Sequence, residues 1–378
     1  MKILHVIRDL SNATAGPVYA LRGLAEAQIR QGHDVIVQTT DRGDCKVIPE
    51  GAEVHLTRGL GMWGWSREIG ASLDRLIPGV DIVHLHMVWD YPIWAAGKSA
   101  ERHGKPFVLR PCGLLDSWSL AQKGFKKRIY MRLFGSHIRH ASAFHFTSEG
   151  ERLGAGGVVG NAKSIVIPNG MAESMYTNLP AKTAFTQRFP ELSGRRIILF
   201  LGRLHPKKQP HLLIDAFAAV KAANSDLHLV LAGPGEDDYV KRLKSRVKKL
   251  GLDDCVTFTG ALQGDAVREA YSAAEIFALP SLQENFGNAM VEAMAASCPV
   301  VISRSLDLAP DIANAEAGLL CEPTVEAFAA ALQRLLRDGD LRKLLGANGN
   351  RMVVDKFTWA PAAAAMTAAY AALLAAKP

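Results

Sequence analysis

"RRIILFLGRLHPKKQPHLLIDAF", Arg195 to Phe217, is the stretch whose reading decides the fold. It begins with an apolar, partly β-branched run that ends at Gly202, as a buried parallel strand does. Pro206 and Pro210 then punctuate a short loop, and Leu212, Leu213, Ala216 and Phe217 recur at helical spacing. Strand, loop and amphipathic helix make the first half of a βαβ unit. The unit follows a polar stretch, residues 178–195, so the pattern restarts here. Upstream, "KILHVI", "DVIVQTT", "DIVHLH", "PFVLR", "AFHFT" and "SIVIP" read as strands separated by helical patterns. Downstream, "LHLVLAG", "CVTFTG", "IFALP" and "PVVIS" continue the second series. The expectation is an α/β protein of two Rossmann-like, doubly wound domains facing across a cleft, with ligands outside the carboxyl ends of the strands. The turn chemistry of "PNGMAESMYTN", Pro168 to Asn178, sets the boundary, giving domains over 1–177 and 178–358.

Composition limits what such a chain does. With 378 residues, 48% hydrophobic and 21% charged, it can build two ordinary cores. "MKILHVIRDL" meets charge again at Arg8 and Asp9, so it reads as a strand and not as a secretion signal, and a cytoplasmic protein is expected. "WAPAAAAMTAAYAALLAA", Trp359 to Ala376, is mostly alanine, with Pro361 in its first turn and Thr367 inside, and reads as a packed helix. Cys45, Cys112, Cys255, Cys298 and Cys321 contain no CxxC pair, which argues against a disulfide framework and a zinc site. The net charge of +7 favours an anionic partner: a nucleotide, a phosphorylated lipid surface or a nucleic acid.

Three places carry candidate chemistry. Arg203 and Lys208, five residues apart at a strand's carboxyl end, can converge on a diphosphate; solvated charges at a helix start are the plainer reading, mildly disfavoured by the helix dipole. At the first strand, Gly16-Pro17 opens a helix after a small-residue loop and leaves backbone amides for an anion, although an ordinary tight turn looks the same. In "SLQENFGNAMVEAMAAS", Ser281 to Ser297, Glu284 precedes a helix and Glu292 lies in its second turn, so both can accept from sugar or ribose hydroxyls around the helix start. A dipole-favoured acid followed by a solvated glutamate is the bland alternative.

Together these places resemble the retaining glycosyltransferases of the GT-B fold, in the large family with a Glu, seven residues and a Glu (glycosyltransferase family 4, "glycosyl transferases group 1"). Here that motif runs from Glu284 to Glu292, and the "GRL…K" motif is Gly202, Arg203, Leu204 and Lys208. "QGHDVIVQTT", "DIVHLH", "SIVIPNG", "LLIDAF" and "LVLAGPGED" fall in the family's order, so the resemblance spans nearly the whole chain. It implies a final helix, 359–378, returning to the N-terminal domain, and an enzyme moving a hexose-type sugar from a GDP- or UDP-sugar to a glycan or lipid-linked oligosaccharide in cell-surface polysaccharide synthesis. By the same resemblance, Gly16 offers its N–H to the donor diphosphate, Arg203 and Lys208 neutralise its growing charge, Glu284 holds sugar hydroxyls and Glu292 the ribose. The amides of Phe286, Gly287 and Asn288 line the sugar and phosphate pocket, the leaving phosphate takes the acceptor's proton, and neither metal nor other cofactor is required.

One departure concerns acceptor recognition. Many members place a His before a Gly at the end of an N-domain strand, where this chain has Cys112 before Gly113; Arg110, Asp116 and Trp118 in "VLRPCGLLDSWSL" stand as replacements. Cys112 lacks any evident base and reads as a small buried thiol. His84 and His86 share a strand face, compatible with metal, yet no third ligand has a recognisable spacing; His86 is instead a candidate for the acceptor side. "DGD", Asp338 to Asp340, reads as a surface turn. In "QKGFKKRIYMRLFGSHIRH", Gln122 to His140, basic residues flank an apolar stripe, which suits either a helix on the anionic inner face of the cell membrane or a solvated helix packing its stripe inward. A sugar-nucleotide epimerase on the same fold is the competing enzyme. A nucleic-acid binder has no recognition motif or stacking-aromatic pattern behind it, so no nucleic acid is expected.

Overall fold

The computed structural model describes residues 1–11, 16–41, 47–61, 63–122 and 124–376, the side chains of Asp41, Ser117 and Trp118 excepted. Two compact units emerge, Met1–Gly170 with Trp359–Pro378, and Met171–Thr358.

The first unit is built on seven strands: β1 (Lys2–Val6), β2 (Asp34–Asp41), β3 (Glu53–Arg58), β4 (Ile82–His86), β5 (Phe107–Arg110), β6 (Ala143–Phe146) and β7 (Ser164–Val166). They pair in parallel in the order β3-β2-β1-β4-β5-β6-β7. Every strand foreseen from the sequence is present. β3 was not foreseen, because "EVHLTR" is an edge strand with mostly half-buried or exposed positions and lacks a long apolar run.

Strand parity sorts this sheet's two faces. Leu4, Val6, Val83, Leu85, Phe107, Leu109, Phe144 and Phe146 pack one side with the helices Ile69–Leu76 and Tyr91–Arg102. Ile3, Ile82, Val108 and Ala143 pack the other under the helices Gly16–Arg30 and Trp359–Ala375. The alanine-rich tail is thus a docked helix, as the resemblance implied. It fits closely because Gly23 has no side chain: a Cβ there would stand 2.0 Å from Trp359 Cε2. No helix among the described residues is long and apolar enough to cross a membrane.

The second unit has β8 (Arg196–Leu201), β9 (Leu227–Ala232), β10 (Val256–Gly260), β11 (Ala274–Leu279), β12 (Val300–Ser303) and β13 (Gly318–Cys321), in the order β10-β9-β8-β11-β12-β13, again all parallel. β13, the short half-buried "GLLC", was also not foreseen. The sequence placed the division at residue 177; the compact units divide at Gly170/Met171. Residues 171–178 side with the second unit because Met171 N–H bonds Phe357 O, and Arg268 donates to the carbonyls of Ser174 and Asn178.

Each sheet reverses its winding once. In the first unit the reversal falls between β1 and β4, in the second between β8 and β11. Loops leaving the carboxyl ends of those strand pairs diverge, and the space between them is where open α/β sheets place ligands.

Candidate active site

In the second unit, the loops flanking that point are the two motifs singled out from the sequence. Gly202–Gln209 follows β8 and Pro280–Gly287 follows β11. Gly202 and Gly233 take positive φ values of 149° and 142°, and a Cβ on Gly233 would lie 2.0 Å from Gly202 O, so glycine is what lets the strand ends close up. A 3₁₀ turn, Pro206–Lys208, then aims Lys208 across the gap. Its Nζ donates to Glu284 Oε1 at 2.6 Å, and the Ser281 hydroxyl donates to the same oxygen at 2.8 Å. Lys207 O accepts from Leu282 N–H, tying the two loops by backbone as well.

Arg203 stands exposed in the first of these loops. Its charge, with those of Lys207 and Lys208, adds to burial in holding His205 below the ordinary imidazole range, which marks the loop as electropositive. The His205 ring caps its own turn by accepting from Lys207 N–H. It was not among the sequence candidates; a His before Pro at the start of a short turn is the signal that was available.

Glu292 is held differently. It lies on the helix Asn288–Ala295, opened by Gly287 at φ 73°, and accepts from the Tyr271 hydroxyl at 2.9 Å. Desolvation raises its carboxyl to about 7 against the weaker opposing pull of that hydrogen bond. Phe286 is buried, edge-on to Phe357, and fixes the turn between the acids. Glu284 and Glu292 therefore sit on one loop-helix segment but have separate partners.

In the first unit, Gly16 opens the helix Gly16–Arg30; residues 12–15 of the preceding loop lie outside the described residues. Arg8, after β1, pairs with Asp90, after β4, at 3.2 Å, again across the reversal point. His86 and Arg110 end their strands fully or almost fully buried, in a polar row with His5, His84 and His145 beneath the Trp359–Ala375 helix. The hydrogen bonds assign the imidazole protons. His145 Nε2 donates to Ile167 O, so its Nδ1 faces His84 Nε2 at 3.4 Å as acceptor, and His84 Nδ1 accepts from the Tyr370 hydroxyl at 2.6 Å. His5 Nε2 donates to Gln28 Oε1 at 2.8 Å, and its Nδ1 accepts from His86 Nε2 at 2.9 Å. Burial pushes His5 down to about 4 and His145 to about 3, and holds His84 and His86 well below the usual range. His5 supplies the third imidazole the sequence did not show, with ligand atoms of His5, His84 and His86 within 4.8 Å of one another. The hydrogen bonds occupy every one of those ring nitrogens except His86 Nδ1.

The other candidates are more peripheral. Asp116 is buried and caps the short helix Ser117–Ala121 by accepting from Ser119 N–H; the Trp118 side chain lies outside the described residues. Cys112 takes φ 54° and its thiol is raised by burial, an unreactive state. Cys45 lies outside the described residues, and Cys112, Cys255, Cys298 and Cys321 are free. Asp338 caps the helix Gly339–Lys356 through Leu341 N–H, in keeping with a surface turn.

Two doubly wound parallel units, each with ionic side chains gathered where its sheet reverses, define a two-unit Rossmann-like α/β protein. Family models identify which. "Glycosyl transferases group 1" matches residues 182–352 and "Glycosyl transferase 4-like domain" matches residues 15–170. The chain belongs to the group 1 glycosyltransferases of family 4. It is 30% identical over 203 residues to mannosylfructose-phosphate synthase of Agrobacterium fabrum, covering 51% of this chain and 44% of that protein. It is 24% identical over 340 residues to GDP-mannose:cellobiosyl-diphosphopolyprenol alpha-mannosyltransferase of Komagataeibacter xylinus, covering 85% and 80%. The alignment with the first of these spans under half of that relative's length. The fold is that of Anabaena Alr3699/HepE, solved in complex with UDP and glucose, at TM-score 0.83 and 20% identity over 98% of this chain and 100% of that one.

Proposed function

We propose that this protein is a retaining, metal-independent hexosyltransferase that takes a nucleotide-sugar donor in its second unit and a glycan or lipid-linked oligosaccharide acceptor through its first. The observation that carries this reading is the Lys208–Glu284 ion pair beside exposed Arg203, at the reversal point of the second sheet. A diphosphate arriving there meets two cations, one of them held ready by a carboxylate. Glu284 is then positioned to accept from sugar hydroxyls, and Glu292 with Tyr271 from the ribose; the turn at Phe286, Gly287 and Asn288 borders the sugar. At transfer, the C1–O bond to the β-phosphate breaks while a C1–O bond to the acceptor oxygen forms on the same face. The acceptor's proton passes to the departing phosphate oxygen, and Arg203 and Lys208 stabilise the added charge. Gly16 is assigned the amide contact to the diphosphate, and no metal or cofactor takes part.

The donors named in the relatives, GDP-mannose in one and UDP with glucose in another, suit this chemistry and support a GDP- or UDP-sugar here. The diphosphopolyprenol acceptor of the Komagataeibacter enzyme supports a lipid-linked acceptor, and with it a role in cell-surface polysaccharide synthesis at the inner face of the membrane. The helix Gly124–Phe134 fits that location. Tyr130 and Phe134 face inward against Trp63, while Phe125, Ile129 and Leu133 form an outward stripe, with Phe125 70% and Leu133 66% exposed. Lys126, Arg128 and Arg132 lie on the same helix; one stripe packs inward, and the exposed stripe with its basic neighbours supports contact with an anionic surface. Lys123 lies outside the described residues.

The test is transfer itself. Purified protein, a panel of nucleotide sugars and isolated lipid-linked oligosaccharide should give nucleotide release that depends on acceptor, with the product's anomeric configuration matching the donor's by NMR. Turnover of a free UDP-sugar without acceptor would instead favour an epimerase.

A further inference from the structure

Among the described residues, Arg110 is buried without an acidic partner. Only 3% exposed, it ends β5, and strand register places His86 of β4 on one side of it and His145 of β6 on the other. Its Nη2 donates to Asn169 Oδ1 at 2.5 Å, and its Nε has no partner. Of the buried acids near this strand end, Glu151 has both oxygens engaged, by Gly113 N–H at 2.6 Å and by Thr147 N–H and hydroxyl each at 2.8 Å, and Asp116 accepts from Ser119 N–H and forms no ion pair with Arg110. Arg110's positive charge contributes to the depression of His5, His84, His86 and His145 alike, so its field runs through the whole polar row.

The histidines answer burial by staying neutral, whereas a guanidinium cannot shed its proton. An uncompensated buried cation is a poor way to stabilise a fold, and replacing it with an apolar group of similar size is often neutral or stabilising. A cation of this kind is explained if its countercharge arrives with a ligand. The place suits that: the carboxyl edge of β4 and β5, where Arg110 Nε is a buried donor without a partner among the described residues and half-buried Cys112 presents a small side chain.

We propose that Arg110 is the countercharge for an oxyanion, a phosphate or carboxylate group of a substrate, bound at the carboxyl end of β5. This rests on the first unit receiving substrate, and it narrows the ligand: the group recognised is acidic. Its source is either an acidic group on the acceptor or the donor's diphosphate.

Arg110→Met, Arg110→Lys and wild-type protein are compared by thermal unfolding in inorganic phosphate against sodium chloride of equal ionic strength, and separately with UDP and GDP. The expected result is that ligand-free Arg110→Met melts at or above the wild-type temperature. Phosphate should raise the wild-type and Arg110→Lys melting temperatures, with about tenfold or greater weakening of the apparent phosphate affinity in Arg110→Met. A nucleotide shift unchanged in Arg110→Met assigns the oxyanion to the acceptor; a nucleotide shift lost with the phosphate shift assigns it to the donor. The proposal is overturned if Arg110→Met melts several degrees lower or fails to fold, if phosphate has no effect on wild type, or if all three proteins respond equally. Absence of any nucleotide shift in wild type would instead count against the proposed function, whatever Arg110 does.

Discussion

Acidification should loosen the first unit from within. His5 and His145 are held neutral by burial, with folded values of about 4 and 3 against 6.5 in the unfolded chain. The sign follows from proton counts: below pH 6.5 the unfolded chain binds protons that the folded unit refuses, so stability is lost as pH falls from 6.5 towards 4. Relative to pH 8, each residue costs about 2 kcal/mol at pH 5, about 4 kcal/mol together. His84 and His86 shift the same way and add to this. His137, pushed down to about 4 by burial against the opposing pull of the carbonyls Val88 O and Phe134 O, shifts the same way. Against a typical stability of 5–15 kcal/mol, and about 2–4 °C per kcal/mol for a unit of this size, roughly 10 °C of melting temperature is at stake. In the second unit Glu292, raised to about 7, works oppositely: its stability is lost as pH rises from 4.5 to 7, so acid favours that unit, offset by His228 at about 4. Hydrogen exchange by mass spectrometry, corrected for intrinsic rates, should show protection falling between pH 7.5 and 5 in peptides of β1, β4 and β6, and little change in those of β8 and β11. Equal protection in the first unit at the two pH values would refute the reasoning.

Further outcomes follow from single contacts. Gly23→Ala drives a methyl into Trp359 and should destabilise by about 1–3 kcal/mol in urea unfolding, with much of the loss recovered when Trp359→Leu is added. Glu292→Gln keeps an acceptor for Tyr271 while removing a desolvated charge; it should gain up to about 3 kcal/mol at pH 8, about half that at pH 5.5 and little at pH 4.5, and bind nucleotide about tenfold more weakly by calorimetry. Replacing Phe125, Ile129 and Leu133 together by Ser should leave melting nearly unchanged, since all three are exposed, and should sharply reduce sedimentation with vesicles containing phosphatidylglycerol.

The interior strands were legible because each is a largely apolar run, whereas β3 and β13 are edge strands with mostly half-buried or exposed positions. The acid pair and the Arg-Lys loop were legible as motifs because both fall within a few residues of a strand end. What the sequence hid was pairing across long separations. Nothing local joins Lys208 to Glu284, Tyr271 to Glu292 or Tyr370 to His84; the fold makes those bonds. His86 shows the same limit: its strand-end position marked it as an acceptor-side candidate, and only the fold shows that it is buried and donates to His5 Nδ1. Arg110 read as one polar residue among several near Cys112, and only the packing shows that it has no countercharge among the described residues.

The account stands on the loops of β8 and β11 holding a nucleotide diphosphate without metal. Calorimetric titration of wild type, Lys208→Ala and Glu284→Ala with UDP, GDP and their sugars, with and without EDTA, tests this most directly. The account predicts that one nucleotide family binds wild type unaffected by EDTA, that Lys208→Ala binds its diphosphate at least about tenfold more weakly, and that Glu284→Ala loses chiefly the preference for the sugar-bearing form. Binding that requires a divalent ion, or equal affinity in wild type and Lys208→Ala, would contradict it.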